Sequence, residues 1–383
     1  MEELDWECDE EFAGLKEDWQ VIESVLPEGW EEAARRTGAL IRTRGFDSPA
    51  TLLRVLLIHL VEGCSLRETA VRAKAGGLAS VSDVALLGRL RGCGEWFRWM
   101  VEQMNRRLSD TGDQVLPGKR VRLADATVVC EPGATGSTWR LHYVIDLSTL
   151  ACEQVQVTLP DEGETLTRFT VHAGDVLMAD RGLAHRRGIR HVVNHGGDVV
   201  VRMNLVSIPL EDKRGREFRL LPQLRKLRVG QARAWPAVMR DEHGTVAVRV
   251  CALKKSAEQT RAAQEKLRQT AIRKGRTLQP DTLEAAGYVV VLTTLSDVPA
   301  DLILELYRYR WQIELVFKRL KSLLHLGHLK KTDPAGARAW LQGKLFVAAL
   351  IETLIAVGRA FFPLGLLPAR ESKAAGADGV RWR

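Results

Sequence analysis

The chain has 383 residues, 45% of them hydrophobic and 27% charged, a composition that excludes a disordered or fibrous protein and suggests about two or three domains. The formal charge is +8, yet residues 1–32 hold 13 acids and a single base, Lys16, so everything after them is strongly basic. A basic body behind an acidic leader calls for a polyanionic partner, with nucleic acid ahead of an anionic membrane. The longest apolar stretch, Leu345 to Val357, is broken by Glu352 and Thr353 and falls short of the roughly 20 residues that cross a bilayer, so it reads as a buried helix and a membrane role is disfavoured. The opening MEELDWECDEEF has neither a basic segment nor an apolar run, so no secretory signal is expected and the chain is assigned to the cytoplasm. Six cysteines without a C-x-x-C pair argue against a disulfide framework and against a Cys-ligated zinc site.

Residues 1–44 form an acidic leader without an assigned fold. Residues 45–115 read as helical, because apolar side chains recur at three- and four-residue spacing through Leu52, Val55, Leu56 and Leu60, then Leu86, Leu90, Phe97, Met100, Met104 and Leu108. Ser65 with Glu68, and Ser80 with Asp83 after the Gly76-Gly77 break, have the spacing of helix-starting capping boxes. Two short helices divided by glycines fit a DNA-binding helix-turn-helix, or equally a small bundle that packs on the next domain.

Over 116–203 the texture changes to short β-type runs, VRLADATVV, WRLHYVIDL and CEQVQVTL, followed by DVLMAD and DVVVRM with helical segments between them. Strands in sequence followed by alternating helix and strand predict a mixed α/β sheet. Residues 204–287 read as a basic, mainly β insertion: the stretch 202–276 holds 19 Lys/Arg against 7 Asp/Glu, with EFRLLPQL, LRVGQARAW and TVAVRVCAL as short strands and a polar helix from Ser256 to about Arg273. Over 288–360 the regular pattern resumes with the strand YVVVLTT and a long helix from about Pro299 to Leu324; residues 361–383 read as a basic tail.

Three carboxylates stand out. Asp125 lies inside a strand, where a buried carboxylate is costly unless compensated. Asp180 falls at the end of a strand, where α/β sheets assemble their sites. Glu314 lies on the long helix, where a step of 100° per residue puts Tyr307, Glu314, Lys318 and Lys321 within about 80° of Arg310 on one polar stripe beside the apolar face. Carboxylates converging without His or Cys suit a hard ion such as Mg²⁺ or Mn²⁺, and the bases on the stripe suit phosphates. No P-loop, dinucleotide fingerprint, H-E-x-x-H or G-x-S-x-G is present, and His191 with His195 lacks the partners of a zinc site.

The spacing Tyr307-x2-Arg310-x3-Glu314-x6-Lys321, with Trp311 following the arginine, resembles the Y-R-E-K signature of the insertion-sequence-four family of bacterial DDE transposases. LADATVV and VLMADRGLAHRRGI resemble that family's two aspartate strands, and SLRETAVRAKAGGLASVSDVAL its helical leader. The resemblance covers about residues 45–360 and implies an RNase H-like catalytic sheet split by the insertion. It further implies that Asp125, Asp180 and Glu314 hold two Mg²⁺ ions, Mn²⁺ serving as substitute. One ion would activate a water or a 3′-hydroxyl and the other would stabilise the leaving oxygen.

The implied partners are double-stranded DNA, as element ends and as target, and a second copy of the chain in the DNA complex. The implied chemistry is end cleavage through a hairpin followed by strand transfer, in a cut-and-paste, nucleoid-associated reaction. By the same resemblance Tyr307, Arg310 and Lys321 contact the phosphate beside a flipped base, with Tyr288 or Trp311 as its stacking partner, while Lys318 is a DNA-contacting candidate by its place on the stripe; Trp311 reads equally well as core packing. A non-catalytic repressor derived from a transposase is the alternative, and a metal-dependent nuclease on the same fold a third reading.

Overall fold

In a computed structural model of the protein the described residues are 19–108, 115–131, 133, 138–203, 205, 208–326, 329 and 333–361. The beginning of the acidic leader and the tail from residue 362 lie outside them. Helix α1 (Trp30–Arg36) is followed by α2 (Pro49–Val61), which starts where the Ser48 hydroxyl accepts the Thr51 N–H and Pro49 occupies the first turn. Ser65 caps α3 (Leu66–Ala75) by accepting from the Glu68 N–H, as its spacing predicts. The cap of α4 (Asp83–Gly92) is Ser82, which accepts from the Ala85 N–H, rather than Ser80. A cap must directly precede the first turn to reach its free N–H groups, and Ser80 stands too far upstream.

Helix α5 (Gly94–Leu108) then packs along the C-terminal helix of the protein, α12 (Pro334–Phe361), which also touches α2 and α4. Their contact is aromatic: Trp30, Trp96, Phe97 and Phe346 follow one another at ring separations of 6.1, 5.9 and 5.6 Å, and the Trp96 indole N–H donates to the Trp30 carbonyl. The helical region and the distant C-terminal helix therefore share one core. Although α12 contains a stretch long and apolar enough to cross a membrane, 61% of that window is buried inside the protein, against these helices and the sheet.

Nine strands form one mixed sheet. They are β1 (Arg120–Val129), β2 (Trp139–Asp146), β3 (Cys152–Thr158), β4 (Asp175–Ala179), β5 (Asp198–Arg202), β6 (Leu210–Glu211), β7 (Ala232–Asp241), β8 (Gly244–Lys254) and β9 (Tyr288–Thr293), in the order β3-β2-β1-β4-β5-β9-β8-β7-β6. Strands β1, β4 and β5 are parallel, and the remaining pairs are antiparallel. The first five strands follow the RNase H-like plan, which requires a crossover between parallel strands; α6 (Arg186–Asn194) supplies the one from β4 to β5.

The basic segment extends this same sheet, because β8 pairs with β9, which pairs with β5. EFRLLPQL departs from its predicted strand: Leu220–Leu224 is a short helix, α7, whose Leu220, Leu221 and Leu224 bury themselves at helical spacing. Helices α8 (Ala257–Arg273) and α9 (Pro280–Ala285) complete the segment, with Ser256 and Gln259 forming a reciprocal capping box on α8.

Alternation along the strands separates two cores. Val121 and Leu123 of β1 with Val176 and Met178 of β4 face the large helical core, whereas Ala124, Leu177 and Ala179 face a second core around α6 and α7. The long helix expected over 299–324 is two helices, α10 (Ala300–Arg308) and α11 (Trp311–Ser322). Between them Tyr309, Arg310, Gln312 and Ile313 each donate to the carbonyl three residues back, a 3₁₀ tightening that breaks the 3.6-residue phase assumed for the polar stripe.

Candidate active site

Asp125 and Asp180 come together through sheet register. The last residue pair between the parallel strands β1 and β4 is Ala124 with Ala179, so the next residues, Asp125 and Asp180, stand side by side at the end of β4. Both follow the alternation of Val121, Leu123, Val176 and Met178, and so share the face on which α11 meets β1. Each is partly satisfied by local backbone: the Ala126 N–H donates to Asp125 Oδ1 at 2.8 Å and the Gly182 N–H to Asp180 Oδ1 at 2.7 Å.

Burial pushes the Asp125 carboxyl up to about 7, and Asp180 and Glu164 push the same way, against the Ala126 N–H and the Arg310 guanidinium. Loss of water is thus the main thing that a ligand to this carboxyl would have to offset. Glu314 sits one helical turn beyond Arg310, and Arg310 donates to Glu314 with one terminal nitrogen and approaches Asp125 at 3.4 Å with the other. The third carboxylate is linked to the first through this guanidinium, and its side chain is 56% exposed. Among the described residues no group of three or more His, Cys, Asp or Glu side chains forms a ready-made metal cage. The donor set nevertheless suits a hard cation, because Asp125 and Asp180 are neighbouring oxygen ligands whose mutual repulsion a divalent ion would remove.

Tyr307, on α10, is 6% exposed; burial raises its hydroxyl to about 12, and among the described residues that hydroxyl has no hydrogen-bond partner. It lies within electrostatic range of Arg310, Arg202, Asp180 and Arg181. Lys318 is exposed and Lys321 half-buried on α11. Trp311, the first residue of α11, is 50% exposed, which removes the core-packing reading of its ring. Tyr288 is buried at the start of β9, with the Lys254 ammonium 5.8 Å from its ring centre. Since β9 runs antiparallel to β5, Tyr288 lies at the sheet end where β5 finishes.

Two groups escape a reading by motif. The first is basic: Arg202 at the end of β5 and Lys255 just after β8 lie near Arg181, and burial followed by mutual repulsion lowers the affinity of Arg202 for its proton and brings Lys255 to about 8. Lys255 is buried and donates to the Ala286 carbonyl at 2.8 Å. The second is Glu164, in the loop after β3, whose carboxyl is raised first by burial and then by Asp180. Only the strand-end position of Arg202 could have marked it; a loop glutamate carries no sequence signal.

A family model described as "Transposase DDE domain" matches residues 116–350, the span that holds Asp125, Asp180 and Glu314. The transposase for insertion sequence element IS421 of Escherichia coli is 36% identical over 351 residues, covering 88% of this chain and 94% of that protein. InsL of insertion sequence element IS186A, from Escherichia coli strain K12, is 36% identical over 350 residues with the same coverage. This chain belongs to the DDE transposases of bacterial insertion sequences.

Proposed function

We propose that the protein cuts DNA at the ends of its insertion sequence and joins the freed ends to target DNA, by a cut-and-paste route with a hairpin at the element end. The observation that carries this reading is the pairing of Asp125 with Asp180 on the face met by the Glu314 helix, with Arg310 between Asp125 and Glu314. Asp125, Asp180 and Glu314 would hold two Mg²⁺ ions, or Mn²⁺ in their place. Such ions would make a water or terminal 3′-hydroxyl more acidic and offset charge on the leaving oxygen.

The chain's own groups do the rest. Arg310 links Asp125 to Glu314, and with those acids neutralised by cations its guanidinium would be able to hold a phosphate in bidentate fashion beside Lys318 and Lys321. Tyr307 offers a substrate oxygen a hydroxyl that bonds nothing among the described residues. The exposed ring of Trp311 is available for a flipped base, whereas Tyr288 would first have to be uncovered. Such roles would fit the Y-R-E-K group of transposases. A homodimer on paired element ends, acting at the nucleoid in the cytoplasm, completes the proposal.

The test is a cleavage assay with Mg²⁺ on a DNA fragment carrying the sequence that flanks the gene, resolved on a denaturing gel. Specific end cleavage by the wild type, lost in Glu314→Gln with end binding retained, is the expected result. Normal cleavage by that variant removes the metal assignment, and binding without cleavage by the wild type in both Mg²⁺ and Mn²⁺ identifies a repressor.

A further inference from the structure

A fourth carboxylate, Glu164, stands beside Asp180 at this end of the sheet. Glu164 precedes the 3₁₀ turn Leu166–Arg168, and its carboxylate lies against Gly182, immediately after the Asp180 strand end. A Cβ built at position 182 would stand 2.5 Å from Glu164 Oε2 and 3.1 Å from Asp180 Oδ1. Two carboxylate oxygens therefore border one bare stretch of backbone, one of them accepting the Gly182 N–H, a juxtaposition of the kind a divalent ion bridges with oxygen bonds of about 2.1–2.6 Å. Any side chain at 182 would occupy that space. Glycine is needed here for room, not for conformation, since its φ is not in the left-handed region.

Glu164 is offset by charge alone, from Arg140 and then His185. Arg140, on β2, approaches it at 3.6 Å, beyond hydrogen-bonding distance, and the Arg140 Nε has no hydrogen-bond acceptor among the described residues. The Glu164 side chain is 29% exposed, so it is neither free in solvent nor tied into the core. Nearby, the buried Tyr307 hydroxyl has no hydrogen-bond partner among the described residues while interacting electrostatically with Asp180, a second polar demand left open beside that acid. Two carboxylates facing each other in a half-buried setting repel, and a shared cation turns that repulsion into ligation.

We propose that Glu164 is a fourth acid of the metal centre, holding an ion jointly with Asp180 across Gly182. This rests on the reading that the site binds divalent ions. It assigns Glu314, mostly exposed and bound to Arg310, to the cation facing Asp125, and Glu164 with Asp180 to the opposite side of the pair. Arg140 acts as the counter-charge that holds Glu164 in place before an ion arrives.

The experiment measures Mn²⁺ binding to the full-length protein without DNA, following free Mn²⁺ by electron paramagnetic resonance, with thermal unfolding of the metal-free protein as the folding control. Glu164→Gln is expected to weaken Mn²⁺ binding by at least about tenfold with an unchanged melting temperature. Arg140→Gln is expected to tighten binding several-fold, and that gain should vanish when Glu164→Gln is added, because the arginine acts through the glutamate. Asp125→Asn separates the two readings. If it weakens binding while Glu164→Gln does not, Glu164 is no ligand and the metal site stands; if neither variant changes binding, or the wild type binds no Mn²⁺, both readings fall. Should Glu164→Gln fail to fold, Arg140→Gln decides alone, and an affinity equal to or below that of the wild type overturns the assignment.

Discussion

Arg310 approaches Asp125 at 3.4 Å from the helical side of the sheet, so the strand that carries the first acid is tied to the segment that carries the last. The tie is made at the 3₁₀ turn between α10 and α11, where the chain tightens just before Glu314. A guanidinium can contact two acids at once because its nitrogens form a rigid fork, while a lysine ammonium is a single point of charge.

Replacing Arg310 should therefore damage the site without unfolding it. Arg310→Ala is expected to lower cleavage by roughly 10²-fold, the usual loss when one fixed cationic or hydrogen-bonding group is removed from a reacting centre. Arg310→Lys should recover little of this, since it cannot span Asp125 and Glu314 together. Single-turnover cleavage rates of the three proteins measure the effect, and a Lys variant as fast as wild type would remove the bridging role.

A second arginine serves the fold on the opposite face. Arg122 is fully buried in β1 and donates to Glu153 at 2.5 Å, to Asp175 at 2.7 Å and to the Thr170 carbonyl at 2.9 Å. Arg122→Met would leave Glu153 and Asp175 buried with only the partly exposed Arg120 nearby. Breaking a buried network from one side costs about 3–5 kcal/mol. The expected outcome is a large fall in the urea midpoint, and a midpoint near wild type would show that Arg120 can replace it.

The strands were legible because their apolar residues alternate or run continuously, and an aspartate interrupting such a run, as at Asp125, is conspicuous. Asp180 was legible from its place at a strand end. Other features depend on tertiary position. Glu164 is an ordinary loop acid until β2 and the Gly182 turn fold against it. No proline or glycine marks the break before Trp311, so α10 and α11 read as one helix. Ser80 and Ser82 offer the same cap chemistry, and only the true start of α4 chooses between them. EFRLLPQL is apolar enough for a strand, but packing against the sheet selects the helical phase of its leucines.

Glu352, on α12, gives the protein a pH-dependent weakness. Burial, opposed by the Cys152 N–H and Arg319, raises its carboxyl from an ordinary 4.5 to about 7. Between those values the folded state holds a proton that the unfolded chain has released, so stability falls as pH rises from 4.5 to 7 and stays reduced above that window. Glu352→Gln keeps an acceptor for Cys152 and removes the ionisation penalty. At pH 8 it should be more stable than wild type by about 3 kcal/mol, and at pH 4 nearly equal to it. Thermal unfolding of both proteins across this range is the measurement; parallel pH profiles would mean that Glu352 does not titrate there.

Tyr307 separates stability from function most cleanly. Its hydroxyl is buried without a hydrogen bond among the described residues, a condition that costs roughly 1–3 kcal/mol in a folded protein. Tyr307→Phe removes that burden while preserving the ring that packs in the core, so the variant should melt at or slightly above the wild-type temperature. Its hydroxyl lies near Arg310 and Asp180, where a DNA phosphate would enter, and its loss should slow hairpin formation more than the first nick. Gel quantification of nicked and hairpin products over time reads both steps. A variant that is more stable and fully active would mean that the hydroxyl meets no substrate, and a variant that is less stable would mean that it already has a partner in the folded protein.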